Sequence, residues 1–102
     1  MAKVRVAGIS EVRPGEVVRV EVDGIALCLA HVIGEGIFAI GDRCTHEDIE
    51  LSEGDLDGGE IECPAHGSRF DVRTGAVCGL PATVPATTYP VEVDGDDVCV
   101  VV

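Results

Sequence analysis

Apolar and polar residues alternate with a period of two along much of the chain. In Val18-Arg19-Val20-Glu21-Val22 the valines point one way and the charges the other, the pattern of a half-exposed antiparallel strand. Asp23-Gly24 separates this run from the apolar residues 25–32, and because both residues tolerate positive φ the pair predicts a two-residue hairpin. Gly34-Glu35-Gly36 sets off residues 37–40 in the same way, and residues 89–93 and 98–102 flank Asp94-Gly95-Asp96-Asp97 as a further hairpin. No segment keeps a helical period for three turns, and only residues 47–51 predict a helical turn. The expected fold is therefore all-β, an antiparallel β-sandwich or small barrel of short strands.

Residues 41–81 interrupt the strand series with an acidic, glycine-rich stretch that reads as a subdomain inserted between core strands. Within it, residues 60–62 and 69–72 are expected as short strands, with Thr74-Gly75 supplying a turn. At 102 residues the chain is expected to form one domain, 1–102. Its only aromatic residues are Phe38, Phe70 and Tyr89, so the core must be built from Val, Ile, Leu and Ala. No apolar run approaches a membrane span, and the opening Met1-Ala2-Lys3-Val4-Arg5 alternates instead of leading into a signal-peptide block. Cytoplasmic location and no membrane association are the corresponding expectations.

Nineteen acids against seven bases give a formal charge of −12, which argues against nucleic acid and for a basic protein surface as partner. Eight acids (Glu47, Asp48, Glu50, Glu53, Asp55, Asp57, Glu60 and Glu62) crowd a stretch with no Lys or Arg from Cys44 through Ser68. They serve either solubility or docking.

The same stretch is bounded by two cysteine–histidine pairs, Cys44-Thr45-His46 and Cys63-Pro64-Ala65-His66, which read C-x-H-x16-C-x2-H. Thiolates and imidazoles are soft and borderline donors, so two of each suit zinc or an iron–sulfur cluster. Structural zinc usually takes two cysteines from one knuckle and two histidines from a helix, an arrangement absent here. If a binuclear cluster is held instead, one iron takes both thiolates and the other both imidazoles. Of the remaining cysteines, Cys28 and Cys99 sit in apolar runs and read as small buried hydrophobes, whereas Cys78 reads as a loop thiol. His31, on an expected strand, reads as a structural histidine.

Cys44-Thr45-His46, Cys63-Pro64-Ala65-His66-Gly67-Ser68, Phe70-Asp71, Thr74-Gly75 and Gly79-Leu80-Pro81-Ala82 together resemble the Rieske [2Fe–2S] proteins, specifically the soluble ferredoxins of multicomponent oxygenases. The resemblance covers the whole length. It implies a cluster with Cys44 and Cys63 on one iron and His46 and His66 on the other through Nδ1, closed over by a third loop containing Pro81. Respiratory-chain members resemble CTHxxC and CPCHGS, with a disulfide between the loops; this chain has Ile49 and Ala65 at those two positions, so the tie is absent. They also carry a Tyr where this chain has Phe70, and loss of that donor should leave the reduced cluster less stabilised.

Two ferric ions, two sulfides, two thiolates and two neutral imidazoles sum to zero, so reduction is easier than for a four-thiolate cluster. The acidic surroundings push the other way, toward the low end of the Rieske span, about −150 mV. Thr45, Gly67 and Ser68 are candidates for the surrounding shell: Gly67 by letting backbone amides approach, Ser68 by its hydroxyl, and Thr45 by orienting or capping the first loop. The function implied is a monomeric one-electron carrier between a flavin-dependent reductase and a terminal oxygenase, with no catalytic site of its own. The alternative is an accessory subunit of another redox system, such as a nitrite reductase small subunit or a partner of iron–sulfur biogenesis.

Overall fold

The computed structural model describes residues 2–102 and is built almost wholly of antiparallel strands. In chain order these are β1 (Lys3–Gly8), β2 (Val17–Val22), β3 (Ile25–Val32), β4 (Gly36–Gly41), β5 (Asp55–Asp57), β6 (Glu60–Glu62), β7 (Arg69–Asp71), β8 (Val77–Gly79), β9 (Thr88–Tyr89), β10 (Val91–Asp94) and β11 (Asp97–Val101). They form three sheets ordered β1-β11-β10, β2-β3-β4-β9 and β5-β6-β7-β8.

The β2–β3 hairpin turns at Asp23-Gly24 with both residues at positive φ, as the sequence predicts, and pairs Val22 with Ile25. The β3–β4 hairpin follows across residues 33–35. The expected C-terminal strand over residues 89–93 is divided. Pro90 has no N–H to donate, and the chain changes sheets there: Tyr89 pairs with Ala39 of β4, while β10 pairs with β11.

Within the central sheet β3 is covered on both faces, which is why it reads as a continuous hydrophobic run, whereas β2 keeps Arg19 and Glu21 exposed. Leu27 and Leu29 pack with Ile37, Val98 and Val100 toward the β1-β11-β10 sheet. Cys28, Ala30 and Val32 face the other way, into a cluster with Leu51, Ile61, Phe70 and Val72 from the segment between β4 and β9. That segment contributes the whole β5-β6-β7-β8 sheet.

Two expectations within it need correction. The helical turn of this segment lies at residues 51–53 rather than 47–51, and it is 3-10; a second 3-10 turn, at Ile9–Glu11, lies where the sequence predicts none. Upstream, the amide of Ile49 bonds to Glu47 O and its carbonyl accepts from Cys44 N–H, which takes those groups out of a helical ladder. Cys78 lies on β8 rather than in a loop, though its side chain is exposed. Burial of Cys28 and Cys99 agrees with the sequence, and burial pushes the Cys28 thiol up to about 12, with the Asp42 charge adding to it. His31 donates from Nδ1 to the Val12 carbonyl at 2.7 Å, a structural bond.

Gly75 joins the β7–β8 turn to the chain preceding β9. Its carbonyl accepts the Ala86 N–H at 2.8 Å, its φ is +80°, and a Cβ there would lie 2.1 Å from the Ala86 carbonyl oxygen. Gly75→Ala is expected to cost more than the ~1–2 kcal/mol of a left-handed residue alone, because the backbone must also separate. A urea midpoint unchanged from the parent would refute this account of the contact.

Candidate metal centre

Three loops converge at one end of the β5-β6-β7-β8 sheet. The first follows β4 and carries Cys44, Thr45 and His46; the Cys44 N–H bonds to Ile49 O at 2.8 Å, folding the loop back on itself. The second connects β6 to β7 and carries Cys63 and His66. Cys63 N–H bonds to Ser68 O at 2.7 Å and Gly67 N–H to Cys63 O at 3.1 Å, a closed turn that Gly67 completes with φ +80°. The third runs from β8 to β9 and contains Pro81, joined to Leu80 by a cis peptide bond.

Side chains lock these loops together. Thr45 Oγ1 donates to the Val84 carbonyl at 2.5 Å, so Thr45 binds the first loop to the third. Ser68, buried, accepts the Ala82 N–H at 3.0 Å and binds the second loop to the third. Both residues thus position backbone. The Ser68 oxygen is engaged as an acceptor, with its proton still available to a neighbouring group.

The four donors divide by exposure. Cys44 and Cys63 are each 1% exposed and unoxidised. Burial raises the Cys63 thiol above its ordinary value, the adjacent Cys44 adds to this, and the backbone N–H groups of Ala65 and His66 oppose it. A cation would tip that balance, since bound metal neutralises a thiolate that amides already solvate. His46 and His66 are exposed, with ring centroids 5.9 Å apart and an interplanar angle of 82°. The donor set fits a mixed thiolate–imidazole centre: a dry sulfur end and a wet nitrogen end.

One residue that the sequence marks only as a member of the acidic stretch enters this site. The Nδ1–H of His66 donates to Glu47 Oε1 at 2.5 Å, and donor atoms of His46, Glu47 and His66 lie within 4.8 Å of one another. A metal bound at Nδ1 of His66 requires the Glu47 side chain to withdraw. What separates it from the other acids of that stretch is its position next to His46.

The acidic stretch is also less bare than it reads. Arg69 Nε lies 2.9 Å from Glu60, and its terminal nitrogens lie 3.2 Å from Asp57 and 3.5 Å from Glu62. Arg19 takes Glu50 and Arg43 takes Asp48. The compensating cations come from outside residues 44–68, where a linear count does not find them.

Residues 2–90 match the family model for the Rieske [2Fe-2S] domain. The chain is 40% identical over 99 residues to the 3-phenylpropionate/cinnamic acid dioxygenase ferredoxin subunit of Shigella boydii serotype 4 (strain Sb227), covering 96% of this chain and 92% of the relative. In structure it is similar to the ferredoxin of carbazole 1,9a-dioxygenase from Nocardioides aromaticivorans IC177, with a TM-score of 0.92 at 38% identity, covering 98% of this chain and 97% of that one. It also matches a chain in a complex of reduced oxygenase and oxidised ferredoxin of carbazole 1,9a-dioxygenase, with a TM-score of 0.90 at 41% identity, covering 96% of this chain and 91% of that one.

Proposed function

The chain belongs to the Rieske [2Fe-2S] domain family, and from that membership we propose the path its electrons take and the residues that hold the carrier. It is an electron-transfer component of the kind found in ring-hydroxylating dioxygenase systems, with one Rieske-type [2Fe–2S] cluster as its cofactor. The observation that carries the residue assignment is the convergence of two Cys–His pairs on neighbouring loops, with sulfurs inside and imidazoles at the surface.

In this reading Cys44 and Cys63 hold one iron and His46 and His66 the other. The bound cluster supplies a one-electron couple. The chain supplies everything else: the Ala65 and His66 amides favour the thiolate of Cys63, Ser68 and Thr45 fix the third loop over the centre, and Glu47, which accepts from His66 Nδ1, would have to release that nitrogen for it to serve as a ligand. The exposed imidazoles form the exit, and the exposed apolar side chains of Leu80 and Val84, on the loop tied to Thr45, give a partner a dry surface to press against.

The donor is a flavin-dependent reductase and the acceptor a terminal oxygenase, both met in the cytoplasm by a monomer whose residues 1–102 form one domain and whose residues 41–81 form the cluster-binding part of it. Low-temperature EPR of the dithionite-reduced chain, with iron and acid-labile sulfide counted in the same sample, tests the assignment. A rhombic signal with two irons and two sulfides per chain supports it. Stoichiometric zinc with no signal would remove it.

Docking is through a basic surface of the partner. The net charge of −12 makes the encounter electrostatic, and the Debye length falls from about 10 Å at 0.1 M salt to about 3 Å at 1 M. The second-order rate of electron transfer to the oxygenase is therefore expected to drop as salt rises across this range. Stopped-flow rates that stay flat would eliminate the electrostatic component.

A further inference from the structure

We propose that Asp42 is a positioning residue for the centre: a buried hub that closes the first ligand loop at its base and fixes where Cys44 stands. The proposal rests on the reading of Cys44 as a ligand.

Among the described residues, Asp42 and Ser68 are the buried polar or charged side chains, and of the two only Asp42 carries a charge. Its side chain is 0% exposed. A carboxylate in such a place is costly unless both oxygens are engaged, and here they are. Oδ1 accepts the Ser52 N–H at 2.6 Å, while Oδ2 accepts the Ser52 hydroxyl at 2.6 Å and Arg19 Nη1 at 2.9 Å. Its own N–H donates to Ala26 O at 3.0 Å, so the residue is also held to β3 through its backbone.

These bonds have a shape. Asp42 stands at the entry of the first loop, two residues before Cys44, and Ser52 stands at its exit, in the 3-10 turn that places the fully buried Leu51 in the same apolar cluster as Cys44 and Cys63. Arg19, reaching from β2, holds the entry through Asp42 and also approaches Glu50 at the exit, 3.3 Å away. Residues 43–51 are thereby strung between two ends clamped to each other and to the central sheet. Without the carboxylate, the loop keeps the Cys44 N–H to Ile49 O bond, the Asp42 N–H to Ala26 O bond, the Arg19–Glu50 contact, the Thr45 bond to Val84 and the packing of Leu51, but loses the side-chain bonds that join its entry to its exit. A loop that swings at its base moves Cys44 relative to Cys63, and a cluster shared between two loops tolerates that poorly.

The alternative is that Asp42 merely adds to fold stability, and the test separates the two. The full chain with its cluster is prepared as Asp42→Ala, Asp42→Asn and Ser52→Ala. The reference is Val98→Ala, a cavity at a fully buried position in the apolar cluster on the opposite face of the central sheet. Urea midpoints are measured for each, with iron release to a strong chelator and the EPR line shape of the reduced cluster. Release from Asp42→Ala is expected to be about tenfold or more faster than from Val98→Ala, after correction for any difference in midpoint, with a shifted or broadened spectrum. Asp42→Asn keeps an oxygen for the Ser52 N–H but turns an amino group toward both Arg19 and the Ser52 hydroxyl, and should fall between. Ser52→Ala, which loses one bond, should show a smaller change in the same direction and keeps the test available if Asp42→Ala does not fold. Release and spectra from Asp42→Asn and Ser52→Ala that match the parent would overturn the proposal. A parent chain that binds no iron would instead overturn the cluster assignment, and this proposal with it.

Discussion

Cys63→Ser is expected to emerge from purification with close to no iron or labile sulfide, where the parent carries two of each. The sulfur sits 1% exposed beside Cys44, facing the amides of Ala65 and His66. Serine offers a harder oxygen that stays protonated far above neutral pH, so it supplies neither the soft donor nor the negative charge that iron–sulfur ligation needs. Two controls sharpen the result. Cys78→Ser alters an exposed side chain on β8, and Cys28→Ser alters a buried thiol that burial keeps protonated; both should keep the full iron content. The measurement is iron and sulfide per chain with the EPR spectrum of the reduced sample. A Cys63→Ser protein that retained two irons and the parent's rhombic signal would remove Cys63 from the ligand set.

Phe70→Ala should produce the largest loss of stability of any single apolar truncation in the half that carries the two Cys–His pairs. Phe70 heads the fully buried side chains by volume, pairs with Ile61 across β6–β7, and shares its apolar cluster with both cysteines. Truncation at such a site costs about 3–5 kcal/mol, the transfer of the ring plus the cavity left behind. Against a typical total of about 5–15 kcal/mol this is roughly a fifth or more of what holds a small domain together. Thermal and urea unfolding of the loaded chain would measure it, and Phe70→Leu should recover much of the loss by filling part of the space. A loss below about 1 kcal/mol in Phe70→Ala would mean that the surrounding chain collapses into the gap.

How far the sequence anticipates this structure depends on which physical rule governs each residue. Local chemistry decided the β2–β3–β4 meander: Asp23-Gly24 and the glycines at 34 and 36 satisfy their turns without help from elsewhere. Strand β5 was not legible, because Asp55-Leu56-Asp57 is an acidic triplet that becomes a strand only by pairing with β6, where Leu56 opposes Ile61. Tertiary pairing overrides propensity there, as it does for Cys78 on β8. Pro90 was visible, and its lack of a donor N–H accounts for the break between β9 and β10, yet the alternation on either side suggested one strand.

The centre shows the same division. Cys44, His46, Cys63 and His66 stand out because few residue types can ligate iron and because their spacing brings two pairs into register. Asp42 did not stand out, since it is one acid among nineteen and only burial distinguishes it from the rest. The cations that answer the acidic stretch, Arg19 and Arg69 above all, were likewise hidden by sequence distance.

Strand β3 has no silent face. From Leu27 to Ala30 every side chain is buried, and successive ones belong to opposite halves of the molecule, Leu27 and Leu29 to the base, Cys28 and Ala30 to the half that carries the two Cys–His pairs. The halves are therefore not interchangeable modules. Transplanting a different segment between β4 and β9 onto this base, or this segment onto another, means recasting a strand that already answers to both, so chimeras joined at the ends of β4 and β9 should inherit a mismatch that the exchanged segment does not contain.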